Sequence, residues 1–176
     1  MMDSPFDIRQ ERNVSVIRFN RPEAFNAFDL RMIRHLAEKL TQLACDPEIN
    51  GVVITGKGKV FCAGGDLKWI RVYDSNRPGA AFHELAARYH QAILEIRRMP
   101  KPVTAALNGL AAGGGFSLAL ACDFRVMEDS AVLRQAYTSN GLSIDGGGTF
   151  NLPRLVGLAK ALEIAAFDPQ IDASTA

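Results

Sequence analysis

Two rhythms of apolar and polar residues organise the chain. Val14–Phe19 alternates at a period of two and reads as a strand, broken by Arg21-Pro22. Leu30, Ile33, Ala37, Leu40 and Ala44 then recur at helical spacing. Asp29 stands where an N-cap belongs, and Asp46-Pro47 ends the helix. Val52–Thr55 is a short buried strand, 61–66 a tight turn of small residues, and a helix begins at Leu67. Asn76–Gly79 reads as a loop ahead of a long amphipathic helix marked by Phe82, Leu85, Ala86, Tyr89, Ile93 and Ile96. Pro100 and Pro102 stop it, Val103–Leu107 is a strand, and Asn108-Gly109 turns the chain. Three glycines, 113–115, precede a helix over Phe116–Ala121, and Asp123–Met127 is a further strand. Asn140-Gly141 and Gly146–Gly148 are loop signals before a last helical region. The stretch from Phe167 to Ala176 closes no element, and Leu158, Leu162 and Ile164 are expected to lack cover. Strands alternating with helices predict an α/β fold with at least partly parallel pairing.

Composition narrows the class. The 176 residues fit one domain, 1–176. Hydrophobic residues make up 48% and charged residues 22%, as in an ordinary globular chain rather than a disordered one. A net charge of +1 gives no bulk attraction to nucleic acid. No apolar run approaches the ~20 residues of a membrane span, so no membrane partner is expected. The opening residues lack a basic region followed by an apolar stretch, so no signal peptide is read there. Cys45, Cys62 and Cys122 are odd in number and form no CxxC pair, which predicts a reducing, cytoplasmic setting. With His35, His83 and His90 they offer no metal-ligand spacing, so no metal is expected.

Two small-residue turns carry the first candidate chemistry. Cys62-Ala-Gly-Gly-Asp66 and Ala111-Ala-Gly-Gly-Gly115 each precede a helix. Orphan N–H groups at a helix start point outward with partial positive charge. Two such turns brought together would hold an anionic oxygen, although glycine turns also serve close packing. The dinucleotide fingerprint fails because position 118 is Leu, and no P-loop surrounds Gly56–Lys59. Gly115-Phe-Ser117-Leu-Ala119 approaches a nucleophile elbow, but no His follows Ser117, so a helix-facing Ser fits better. Asp145, beside three glycines, reads equally as an N-cap or as a general acid/base. His90 at the edge of an apolar stripe reads as half-buried, and Tyr137 as a hydroxyl donor or a buried structural Tyr.

Three ordered segments carry a resemblance. Phe61–Leu67, Lys101–Gly109 and Ala112–Asp123 resemble the crotonase superfamily, the enoyl-CoA hydratase/isomerase family, and Phe19–Asn26 looks like its opening motif. The resemblance runs from about Val14 to about Asp168. It implies a spiral of ββα units and an acyl-CoA thioester substrate, with no cofactor beyond the CoA of the substrate itself. It places an oxyanion on the N–H groups of Gly65 and Gly114, and coenzyme A along Ala24 and along Ala63, Gly64, Gly65, Asp66, Leu67 and Lys68. The family is usually trimeric or hexameric, and it continues past this point with helices that close the site. The sequence therefore reads as lacking that helical region, or as an unusually short member.

The departures sharpen the chemistry. The two Glu residues that activate water in the family's hydratases fall at Ser117 and Tyr137 here, so the usual hydration is not expected. Asp145 matches the acid/base Asp of family isomerases, and 136–138 with 141–149 look most like the ring-CoA isomerases of phenylacetate degradation. The first reading is therefore a double-bond or ring isomerase, with Asp145, Gly65 and Gly114 as its machinery. A second branch, the aryl-CoA dehalogenases, has its nucleophilic Asp and a His at Asp145 and His90. It differs at Tyr137, where it has Trp, and at Gly65, where it has an aromatic residue. A hydratase with another residue set and a non-catalytic acyl-CoA scaffold are the remaining readings.

Overall fold

The computed structural model describes residues 4–73 and 76–176. Met1–Asp3, part of the opening read for a signal peptide, lie outside them. β1 (Phe6–Glu11) and β2 (Val14–Phe19) form an antiparallel pair, and α1 (Leu30–Cys45) follows. β3 (Gly51–Gly56), β4 (Val60–Cys62), α2 (Leu67–Tyr73) and α3 (Pro78–Arg97) come next. The chain continues through β5 (Val103–Leu107), β6 (Leu110–Ala112) and α4 (Gly114–Ala121). It ends with β7 (Phe124–Met127), β8 (Val132–Arg134), α5 (Gly148–Val156), α6 (Leu158–Phe167) and β9 (Ile171–Asp172).

The strands form two sheets, ordered β1-β2-β3-β5-β7 and β4-β6-β8-β9. Each coil of the chain gives one strand to the first sheet, one to the second, and then turns into helix: β3/β4/α2–α3, β5/β6/α4, β7/β8/α5. Neighbouring coils pair in parallel within both sheets, as β3 with β5 and β4 with β6. This is the expected spiral of ββα units. Ile17, Ile54 and Ala105 lie in register across three strands and are fully buried. A β-branched pair meeting a small residue there fills the pleat under the helices.

Local chemistry explains most elements. Asp29 caps α1, its Oδ1 accepting from the Met32 N–H at 2.8 Å. Every residue of α4 is buried, so this helix shows no polar stripe. Several differences from the sequence reading have plain causes. β1 exposes all but its first two residues and so lacks alternation, while β4, β6 and β8 are three residues each, too short to show it. The loop read at Asn76–Gly79 ends earlier, because Pro78 opens α3, where its missing N–H costs nothing. The tail is not without structure: β9 pairs antiparallel with β8. Ile164 is buried at 2% exposure, while Leu158 and Leu162 are exposed as expected. No helix among the described residues is long and apolar enough to cross a membrane.

Candidate active site

The two glycine turns meet backbone to backbone. Gly64 has φ +92°, and a Cβ built on it would lie 2.6 Å from the Gly114 nitrogen. Only glycine permits both that conformation and that approach. Phe28 stitches the first turn in place as an isolated parallel bridge to Gly65. Its N–H donates to Gly64 O at 2.8 Å, and its carbonyl accepts from Asp66 N–H at 3.0 Å. In that pattern the partner residue, Gly65, turns its own N–H away from Phe28. Gly113 caps α4 without a side chain, and Gly114 is the first helical residue, so its N–H has no intrahelical acceptor. Both glycines line one cavity of about 120 Å³.

Aromatic packing supports these amides. Phe28 stacks on Tyr89 of α3 at 4.7 Å between ring centroids. The Tyr89 hydroxyl donates to Gly114 O at 2.5 Å. Burial, with the charge on Asp145 and neighbouring groups adding to it, pushes the Tyr89 hydroxyl well above its ordinary pKa, so it remains a donor. Phe28 and Tyr89 also line the cavity, yet neither gave a chemical signal in the sequence, where Tyr89 only marked the apolar stripe of α3.

Asp145 lines the same cavity. It is not an N-cap: Gly147 holds that position for α5 without side-chain help, which removes the capping reading. Its Oδ1 instead accepts from the Tyr137 hydroxyl at 2.7 Å, and Ser117 Oγ lies 2.9 Å from the same hydroxyl. A carboxylate only accepts, so the bonds run from Ser117 to Tyr137 to Asp145. Burial and the adjacent Asp145 charge raise the Tyr137 hydroxyl far above its ordinary range, which keeps it protonated. The two positions that resemblance assigned to missing carboxylates are thus joined into a hydroxyl relay ending on Asp145. Asn140 adds a further polar group to the lining.

The remaining sequence candidates divide. Ala63 and Leu67 line the cavity with Gly65. Gly64, Asp66, Lys68 and Ala24 are not part of that lining. Ala24 ends the 3-10 turn Pro22–Ala24, and the next residue, Phe25, accepts from Ala63 N–H, which lays this strip beside the first glycine turn. Lys68 is exposed. His90 is exposed rather than half-buried and lies outside the lining; its Nε2 accepts from Gly146 N–H at 3.2 Å. Cys62 and Cys122 are buried and Cys45 is exposed, all as free thiols. Burial pushes the Cys62 thiol to about 12, which disqualifies it as a nucleophile beside the glycine turn.

Both carboxylate oxygens of Asp66 are occupied within the chain. Oδ1 caps α2 through Trp69 N–H at 3.0 Å, and Oδ2 accepts from Arg21 Nη2 at 2.9 Å. Arg21 also lies 3.4 Å from Asp29, so one guanidinium ties the caps of α1 and α2 on either side of the Phe28–Gly65 bridge. The three side chains are only 12–21% exposed. Arg21→Met is therefore expected to cost about 2–3 kcal/mol in urea unfolding, because it strands two mostly buried carboxylates.

This spiral, with Gly65, Gly114 and the Asp145 carboxylate lining one cavity, defines a protein of the crotonase-like fold. The sequence model of the enoyl-CoA hydratase/isomerase family matches residues 9–176, and the chain belongs to that family. It is 38% identical over 167 residues to 1,2-epoxyphenylacetyl-CoA isomerase of Escherichia coli K12, covering 94% of this chain and 63% of the relative. It is 36% identical over 161 residues to 4-chlorobenzoyl coenzyme A dehalogenase-2 of an Arthrobacter species, covering 92% and 58%. An enoyl-CoA hydratase structure from Bacillus anthracis superposes with a TM-score of 0.91 at 32% identity, covering 97% of this chain and 66% of that one. The chain thus matches less than two thirds of the length of these relatives.

Proposed function

We propose that the site isomerises an acyl-CoA thioester through an enolate, with Asp145 moving the proton. The observation that carries this reading is one carboxylate, Asp145, in the lining of the same cavity as Gly65 and Gly114. In a 3-enoyl-CoA, Asp145 takes a proton from C2 and negative charge gathers on the thioester oxygen. The N–H groups of Gly65 and Gly114 hold that oxygen, and the helix start at Gly114 adds its dipole. The proton returns at C4 as the double bond moves into conjugation. Tyr137 holds one carboxylate oxygen, and the proton goes to the other. Hydration has less support, because Ser117 and Tyr137 supply hydroxyls where two carboxylates would hold a water. The cavity volume, small against roughly 300–1,000 Å³ for common ligand pockets, suits the thioester and the start of the acyl group. Coenzyme A would then lie outside it, along Ala24 and the turn from Ala63 to Lys68.

The test is absorbance of a 3-enoyl-CoA as it becomes conjugated. Turnover supports the isomerase, and binding without turnover supports a scaffold. The likeness to the Arthrobacter dehalogenase favours a second arm. Halide release from 4-chlorobenzoyl-CoA would assign Asp145 as a nucleophile instead. Under the first reading, Tyr137→Phe is expected to lower kcat by about 10–100-fold, the worth of one hydrogen bond to a charged group, with KM little changed.

A further inference from the structure

The segment that carries Tyr137 to Asp145 is held by a residue from a distant part of the chain. Ala136 has a left-handed backbone, φ +50°, which its Cβ disfavours. Its N–H donates to Asp168 Oδ1 at 2.8 Å. Oδ2 of the same carboxylate accepts from Arg134 Nε at 3.2 Å and pairs with Arg134 Nη2 at 3.1 Å. Asp168 is 8% exposed, caps the end of α6, and itself has φ +47°. The buried carboxylate thus grips both the last residue of β8 and the residue just before Tyr137. Gln135, fully buried, completes the hold, its Oε1 accepting from Tyr137 N–H at 3.0 Å. Burial raises the Asp168 carboxyl, but Ser139, Ala136 and Arg134 together bring it below its ordinary range, so it is a carboxylate at neutral pH. Asp168 does not line the cavity, and no step of the isomerisation uses it.

We propose that Asp168 is a positioning residue: by fixing Ala136 in the left-handed turn, it aims the Tyr137 hydroxyl at Asp145. The catalytic part of this inference rests on the reading of Asp145 as the proton-transfer group. A plain surface ion pair between Arg134 and Asp168 would need neither the Ala136 bond nor the strain at that residue.

The strain supplies the test. Asp168→Gly removes the carboxylate yet tolerates the positive φ at position 168. It is expected to lower kcat on a 3-enoyl-CoA by about tenfold or more, with KM within about twofold, since small misplacements of catalytic groups are costly. Ala136→Gly accepts the left-handed turn without a clamp, so the double variant Ala136→Gly/Asp168→Gly is expected to recover most of that loss. A merely structural role for Asp168 would not be rescued at position 136. A double variant no better than Asp168→Gly, or Asp168→Gly at the wild-type rate, overturns the proposal. Amide exchange at Ala136 in Asp168→Gly gives a readout independent of turnover, and Asp168→Ala, which also removes both acceptor oxygens, serves where the Gly variant does not fold. Faster exchange in that variant is expected, and unchanged protection overturns the clamp. A wild-type protein without isomerase turnover defeats the functional reading alone, leaving exchange to decide the clamp.

Discussion

Asp145→Asn is expected to lower isomerase turnover by about 10²–10⁴-fold, the usual worth of a positioned proton-transfer group. The same variant is expected to melt close to the wild type, within about 0.5 kcal/mol. The reason is local. The Asp145 side chain caps no helix, since Gly147 fills that position, and among the described residues it bonds the hydroxyl of Tyr137. An Asn oxygen accepts that bond as well, but an amide does not take a proton at neutral pH. Steady-state kinetics and calorimetry on one preparation separate the two effects. Full turnover in the Asn variant would remove Asp145 from the chemistry.

Gly114→Ala is expected to reduce turnover by about 10²–10³-fold, comparable to losing one oxyanion donor. The added Cβ would lie 2.5 Å from Phe28 Cζ and 3.3 Å from Gly64 Cα. Phe28 therefore has to move, and Phe28 is the residue that bridges to Gly65. One methyl group thus disturbs both amides, although it deletes neither. Overpacking of this kind also costs about 1–3 kcal/mol, so the unfolding midpoint falls with activity. The discriminating measurement is the carbonyl stretch of a bound enoyl-CoA. It is expected to lie closer to its value in water for the Ala variant than for the wild type. An unchanged frequency would place the thioester oxygen elsewhere.

The long elements were legible because burial is periodic in them. α1 shows its stripe and its cap, and β2, β3 and β5 show their apolar runs. The strands of the second sheet were not, since two or three residues carry no period. At the site, the glycines could be picked out because only their residue type fits such turns. Asp145 stood out beside Gly146–Gly148 and lies in the cavity lining, but its alternative role as a cap failed because these glycines absorb the turn into α5. Phe28 and Tyr89 were missed as parts of the cavity lining, and Asp168 as a support behind it. The first two share an appearance with any core aromatic, and the third bonds from the end of α6 to Arg134 and Ala136, a contact that spacing along the chain does not show. That Ser117 and Tyr137 would touch each other was equally hidden, because α4 and the segment after β8 meet only in three dimensions.

The placement of the three cysteines has a practical consequence for solution work. Cys62 and Cys122 are buried, with thiols pushed up to about 12, whereas Cys45 is exposed at the last residue of α1. Maleimide chemistry at neutral pH selects accessible thiolates, so the native sequence already carries one addressable anchor. A fluorophore attached there needs no cysteine-stripping substitutions, and the two thiols packed around the glycine turns and α4 keep their native contacts.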